Sequence, residues 1–200
     1  MANWFPAGLF NHLHCLKGKE NLRFLEIGVL EGRGTIFFFE NFLGQTGTLV
    51  GVDPFIEYSK ATVAKIVGYD HIINSSTKDR FLSNVAPYAD RITLHQGLSQ
   101  NVLPTLPSET FDLAFVDGDH SRDAVAIDAR ECWRLIKNGG FVVFDDYQWT
   151  VHGRREMGPK EAIDDFLKAH EDEVDIVLRQ DHVVVRKTSG GVKHHYTPAS

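Results

Sequence analysis

Two acidic groupings in this 200-residue chain have residue types and spacing that can do chemistry: Asp117-Gly118-Asp119-His120 and Asp145-Asp146-Tyr147. Each follows a short apolar run, Phe111 to Val116 and Phe141 to Phe144. Carboxylates brought together repel one another unless a cation or shared protons intervene. A hard, oxygen-liganded divalent ion meets that need, Mg²⁺ first and Mn²⁺ second. His120, three residues past Asp117, is of the type that takes a proton from a hydroxyl near neutral pH. Singly, each residue also has an ordinary reading. Asp117 and Asp119 read as caps of a helix opening at Ser121, Asp145-Asp146 as a polar turn, and His120 as a structural hydrogen bonder.

Three further segments follow apolar runs. Glu26-Ile-Gly28-Val-Leu-Glu-Gly32-Arg-Gly34-Thr has the spacing G-x-x-x-G-x-G. Glycines there let a backbone pass close to a ligand and turn into a helix. This is not the dinucleotide fingerprint G-x-G-x-x-G. Asp53 ends the next run, where a carboxylate can accept hydrogen bonds from both hydroxyls of a ribose. Ser99-Gln100 follows the third run and can read a base edge, although Ser99 also suits a helix cap. Glycine loop and acid together point to an adenosine-containing cofactor that lacks a pyrophosphate fingerprint.

The elements that must position these residues alternate in type. Strands are predicted over Arg23 to Ile27, Thr48 to Val52, Arg91 to His95, Phe111 to Val116 and Phe141 to Phe144. Helices are predicted over Thr35 to Leu43, Thr77 to Pro87, Ser121 to Lys137 and Lys160 to His170. The stripe Val125, Ala129, Cys132, Ile136 marks one helical face, and Asn138-Gly139-Gly140 is the expected stop. Val174 to Leu178 and His182 to Val185 are too close for a helical crossover and must pair antiparallel. The fold class is therefore α/β. It is a doubly wound, mostly parallel seven-stranded sheet with a C-terminal antiparallel hairpin, a Rossmann-like architecture that binds ligands at the carboxyl ends of its strands. One domain is expected over residues 1–188, with an N-terminal helix at about 1–20 and a flexible tail over 189–200.

Composition excludes several classes. Lys and Arg number 21 against 27 Asp and Glu, a net charge of −6, which gives no broadly basic surface and no expected nucleic-acid partner. No apolar run approaches membrane-spanning length, so no membrane partner is expected. The start Met1-Ala-Asn-Trp-Phe-Pro lacks the basic and apolar regions of a signal peptide. Two cysteines, Cys15 and Cys132, make no disulfide framework and read as small buried hydrophobes; the expected compartment is the cytoplasm.

On these residues the chain resembles class I S-adenosylmethionine-dependent methyltransferases, most of all the small metal-dependent family of macrocin-type sugar O-methyltransferases. It is similar at greater distance to the catechol and caffeoyl-CoA O-methyltransferases. The resemblance spans roughly Leu22 to Lys187. It is carried by Phe24-Leu-Glu-Ile-Gly-Val-Leu-Glu-Gly, Phe111-Asp-Leu-Ala-Phe-Val-Asp-Gly-Asp-His, Gly139-Gly-Phe-Val-Val-Phe-Asp-Asp-Tyr and Gly158-Pro-Lys-Glu-Ala-Ile-Asp-Asp-Phe. It implies that Glu26, Gly28 and Gly32 hold the methionine part of the cofactor and that Asp53 holds its ribose. It further implies that Ser99, Gln100 and Asp117 belong to the cofactor site, Ser99 and Gln100 at the adenine. Asp117, Asp145 and Asp146 fall on metal ligands. His120 falls where the catechol enzymes carry a catalytic lysine, and no aromatic follows Asp117-Gly118 to stack on adenine.

The implied activity is S-adenosylmethionine-dependent, Mg-assisted methyl transfer to a hydroxyl oxygen of a small molecule such as a sugar, polyol or catechol, an EC 2.1.1 reaction with His120 as base. Binding a hydroxyl to Mg²⁺ lowers its pKa and orients it. Two readings stay open beside this one: a hydroxylase relative of the family, and a non-catalytic cofactor-binding or scaffold domain of the same fold. The acceptor pocket is expected from Trp4 to Leu16 and Glu57 to Asn74, with Arg154 and Arg155 available to an anionic group. The amphipathic N-terminal segment also suits packing in a homo-oligomer.

Overall fold

The structure, a computed structural model, describes residues 7–56, 76–151 and 153–190. Seven strands form one sheet: β1 (Arg23–Ile27), β2 (Thr48–Asp53), β3 (Ile92–Gln96), β4 (Phe111–Val116), β5 (Ile136–Phe144), β6 (Val174–Arg179) and β7 (Val183–Lys187). Their order is β3-β2-β1-β4-β5-β7-β6. The first five are parallel, and β7 runs antiparallel to both β5 and β6. The expected α/β class, parallel core and terminal hairpin are all present. Strand order reverses between β1 and β4, the point where open α/β sheets hold their ligands.

The helices are α1 (Arg33–Phe38), which continues as a π turn over Phe39–Leu43, α2 (Thr77–Asn84), α3 (Ser99–Val102), α4 (Arg122–Leu135) and α5 (Pro159–Ala169). An N-terminal 3-10 helix, kinked at Leu13, spans Ala7–Leu16 within the stretch of about 1–20 where a helix is expected. Cys15 on it is exposed, contrary to expectation, whereas Cys132 is buried. The predicted helix over Thr77 to Pro87 ends at Asn84 and gives way to a 3-10 turn over Ala86–Arg91, because Pro87 cannot donate the next helical hydrogen bond. Trp4, Phe5, Glu57 to Asn74 and the tail beyond Gly190 lie outside the described residues.

Both sheet faces are covered because the strand side chains alternate. Leu25, Ile27, Ala114, Val116, Val142 and Phe144 pack beneath α4 and α5. Phe24, Leu113, Phe115, Phe141 and Val143 meet the N-terminal helix and α1 on the other face. There Phe10 packs edge-on against Phe38 and Phe115, with ring centroids 5.2 and 5.6 Å away. Glu26 shares the parity of Phe24, so the period of two drives a carboxyl into this phenylalanine-rich layer.

One boundary differs for a physical reason. Asn138-Gly139-Gly140 does not stop the helix, which ends at Leu135. Ile136 already pairs with Phe111, and the glycines lie inside β5 where the β4–β5 register shifts. Gly139 takes φ +82°, and a Cβ on Gly140 would lie 2.7 Å from Ile136 Cγ2. The glycines permit a bulge in mid-strand.

Candidate functional site

Four strand ends converge. The Gly28 N–H donates to the Val52 carbonyl at 2.9 Å, the Asp117 N–H to Ile27 at 2.9 Å and the Asp145 N–H to Val116 at 3.1 Å. Gly28 takes φ +85°, and a Cβ there would sit 1.9 Å from the Asp117 carbonyl oxygen. Only glycine lets the β1 and β4 ends approach this closely. Gly32, at φ +84°, packs beneath Val85 and Phe81, so its lack of a side chain serves α2 packing in this structure.

Glu26 is 1% exposed and accepts a 2.5 Å hydrogen bond from Thr35 Oγ1. Burial pushes its carboxyl up to about 8, against the Thr35 hydrogen bond and with help from the Asp53 charge. At neutral pH this acid is mostly protonated, and a cationic group brought beside it would ionise it.

Asp53 is held by its own loops. Its Oδ2 accepts the Leu30 N–H at 3.0 Å and its Oδ1 the Phe55 N–H at 2.7 Å. Leu30 and Phe55 both take left-handed backbone, at φ +46° and +47°. Branched and bulky residues rarely accept that conformation, at about 1–2 kcal/mol each. The carboxylate thus ties down two strained loops, one from β1 and one from β2. Desolvation raises its pKa, and the backbone donors oppose that rise.

Ser99 is the first residue of α3 rather than its cap, which is Leu98. Gln100 follows it and is exposed. Behind Ser99 stands Asp128, 1% exposed on the inner face of α4. Among the described residues, neither of its carboxyl oxygens has a hydrogen bond of good geometry. Burial lifts it to about 6; the nearby Ser99 hydroxyl opposes this and the Asp119 charge adds to it. Asp128 belongs to no motif in the sequence, but it sits one residue before Ala129 within the apolar stripe, the visible sign of a carboxylate facing inward.

The acids after β4 and β5 divide into two sets. Asp117, His120 and Asp146 each direct one ligand-type atom into a cluster, those atoms lying within 4.8 Å of one another. His120 Nε2 is 3.2 Å from Asp146 and 4.0 Å from Asp117. Desolvation within the cleft and the charges of Asp145, Asp146 and Glu26 raise Asp117 well above the carboxylate range. Desolvation raises Asp146 too, with the nearby His120 opposing. Asp145 neighbours this cluster but pairs with His182 at the β6–β7 turn, and that carboxylate raises the His182 pKa. His182 carried no signal in the sequence, because the hairpin brings it to β5 only on folding. One histidine with two carboxylates is the converse of the two-histidine, one-carboxylate iron triad.

The turn bearing Asp146 is anchored from below. Asp146 takes φ +51°. The next residue, Tyr147, donates its N–H to the Asp181 carbonyl at 2.8 Å. Its hydroxyl donates to Asp164 Oδ1 at 2.6 Å and accepts from Lys160 at 3.0 Å and Arg179 at 2.9 Å.

The model of the methyltransferase domain family matches residues 25–147, from β1 through this acidic turn. The chain belongs to this methyltransferase-domain family. A protein of Acanthamoeba polyphaga mimivirus is 28% identical over 153 residues, which are 73% of the chain and 63% of that relative. The chain thus spans less than two thirds of the length of that relative. Among solved structures, a proposed rRNA methylase from Clostridium thermocellum superposes at TM-score 0.68 with 15% identity, covering 96% of this chain and all of that one. The O-methyltransferase TomG of Streptomyces achromogenes, solved with S-adenosylmethionine, gives 0.64 at 19% identity, covering 94% and 82%. The methyltransferase PaMTH1 of Podospora anserina, solved with S-adenosylhomocysteine, gives 0.60 at 20% identity, covering 94% and 80%. These likenesses show the methyltransferase fold. Among the described residues no helix is long and apolar enough to cross a membrane.

Proposed function

We propose that this methyltransferase-family protein binds S-adenosylmethionine at the β1–β4 switch point and methylates a hydroxyl oxygen of a small molecule, with a divalent ion, Mg²⁺ or Mn²⁺, at the Asp117 cluster. The observation that carries the reading is the pairing of two differently built acids on adjacent strands. Glu26, buried and mostly protonated, suits a cationic group. Asp53, partly exposed with both oxygens oriented by backbone donors, suits a pair of ribose hydroxyls. The methionine and ribose parts of the cofactor make those two demands. When bound, the cofactor supplies an electrophilic methyl group.

The chain's own residues do the rest. Asp117 and Asp146 offer oxygen ligands to a hard divalent ion, with Asp145 beside them. His120 stands among them as the group that takes the acceptor's proton. Ser99 and Gln100, before the buried Asp128, are the residues available to the adenine in this reading. O-methylation of a sugar, polyol or catechol needs such an oriented, deprotonated oxygen.

The test is calorimetric titration with S-adenosylmethionine, repeated with Mg²⁺ and with EDTA, followed by methyl transfer to vicinal diols. One cofactor per chain and EDTA-sensitive transfer are expected. No cofactor binding overturns the reading. Binding with transfer indifferent to EDTA and to Asp117→Ala removes the metal from it.

A further inference from the structure

Among the described residues, the large apolar side chains left exposed include Trp149, which lies against the acidic cluster. Trp149 is 39% exposed, whereas Trp133 is 5%. Its ring centroid is 5.7 Å from that of His120, at 50° between planes. The indole is not on a loose tip. The Trp149 backbone N–H donates to the Asp146 carbonyl at 2.8 Å, tying its segment to the acidic turn. Its own carbonyl is crowded by Gly158, where a Cβ would lie only 2.3 Å away. Between these points the segment folds back on itself through a bridge of Val151 with Arg154. A large apolar surface is thus held in water, on a fixed backbone, beside the histidine of the acidic cluster. Such a side chain usually buries its ring and leaves only its polar edge wet.

We propose that the Trp149 indole is the platform for the acceptor, and that it takes the flat face of a six-membered ring bearing adjacent hydroxyls. The inference rests on the hydroxyl-methylation reading above and narrows its acceptor to a ring. An indole face attracts the polarised C–H groups of a pyranose or the offset face of an aromatic ring. Because indole and imidazole are neighbours, a ring lying on the one presents its edge substituents to the other. Two adjacent hydroxyls then face His120 and the carboxylates Asp117 and Asp146. A chain diol without a ring gains nothing from the indole.

The test uses the whole protein with S-adenosylmethionine and Mg²⁺ present. Binding of pyrocatechol, a methyl glucoside and ethylene glycol is followed by saturation-transfer NMR on wild type, Trp149→Ala and Trp149→Phe. Cofactor affinity of each protein is measured separately. Wild type is expected to bind at least one ring diol and to prefer it to ethylene glycol. Trp149→Ala is expected to weaken the ring diol by about 2- to 12-fold, the range for one aromatic contact. Trp149→Phe should keep most of the affinity, and cofactor affinity should stay unchanged throughout. Which ring binds tells the aromatic from the saccharide source. Equal ring-diol affinity in wild type and Trp149→Ala overturns the proposal, as does binding of no ring diol by wild type. Loss of cofactor affinity in Trp149→Ala alone moves the indole to the cofactor and also overturns it. Absence of cofactor binding in wild type overturns instead the reading on which it rests.

Discussion

Replacing Glu26 by glutamine should stabilise the free protein, and by an amount that grows with pH. The carboxyl is fully enclosed, and its pKa rises from an ordinary 4.5 to about 8. Below pH 4.5 the group is protonated whether the chain is folded or not, and it costs nothing. Between pH 4.5 and 8 the unfolded chain releases a proton that the folded chain retains, so stability falls as pH rises. At ~1.36 kcal/mol per pH unit the loss reaches about 3 kcal/mol at pH 7 and about 5 kcal/mol above pH 8. Glutamine removes this cost while its amide still accepts the Thr35 hydroxyl, now bonded to Glu26 at 2.5 Å. Urea unfolding of both proteins from pH 4 to 9 measures the effect. The two stabilities should meet near pH 4.5 and diverge until about pH 8, then run parallel. Curves separated by a constant amount across that range would overturn this prediction, because a pH-independent gap means Glu26 does not change protonation on folding. The same variant should lose affinity for a cationic cofactor, which separates stability from binding.

Gly28→Ala should cost roughly 3 kcal/mol or more in denaturant titration, because its Cβ meets a backbone carbonyl at a positive φ and neither partner can yield. Asp128→Asn should raise stability by up to about 3 kcal/mol at pH 7, the gap opening between pH 3.8 and about 6 as the buried acid of the wild type begins to resist ionisation; unfolding at pH 3.5 and 7 checks it. Tyr147→Phe should cost about 1 kcal/mol by the same assay, near the low end for a buried hydroxyl, since Lys160 and Arg179 keep Asp164 as a partner.

How far the sequence could be read depended on the range of the interactions involved. Strands such as Arg23–Ile27 and Phe111–Val116 fall where the apolar runs put them, because burial on both faces writes itself into consecutive residues. Boundaries failed where a local signal had two meanings. Asn138-Gly139-Gly140 looks like a helix stop, and tertiary pairing of Ile136 with Phe111 makes it a bulge. For the site, the acids at the ends of β1, β2, β4 and β5 were legible because strand ends in such sheets face one cleft. The division among them was not.

The alternation of strands and helices, the closing hairpin and the presence of acids at or near four strand ends are properties of the sequence itself. Each follows from periodicity or from chain connectivity, which are local properties. Which acid meets which partner depends on packing between strands distant in sequence. Asp145 faces His182 because β7 lies antiparallel beside β5. Asp146 faces His120 because β4 lies parallel to β5 on the other side. Glu26 is mostly protonated because α1 closes over it, and Trp149 stands beside His120 because Gly158 lets its segment fold back. Residue type sets what a group can do, whereas desolvation and neighbouring charge, both fixed by packing at long range, set its protonation and its partners.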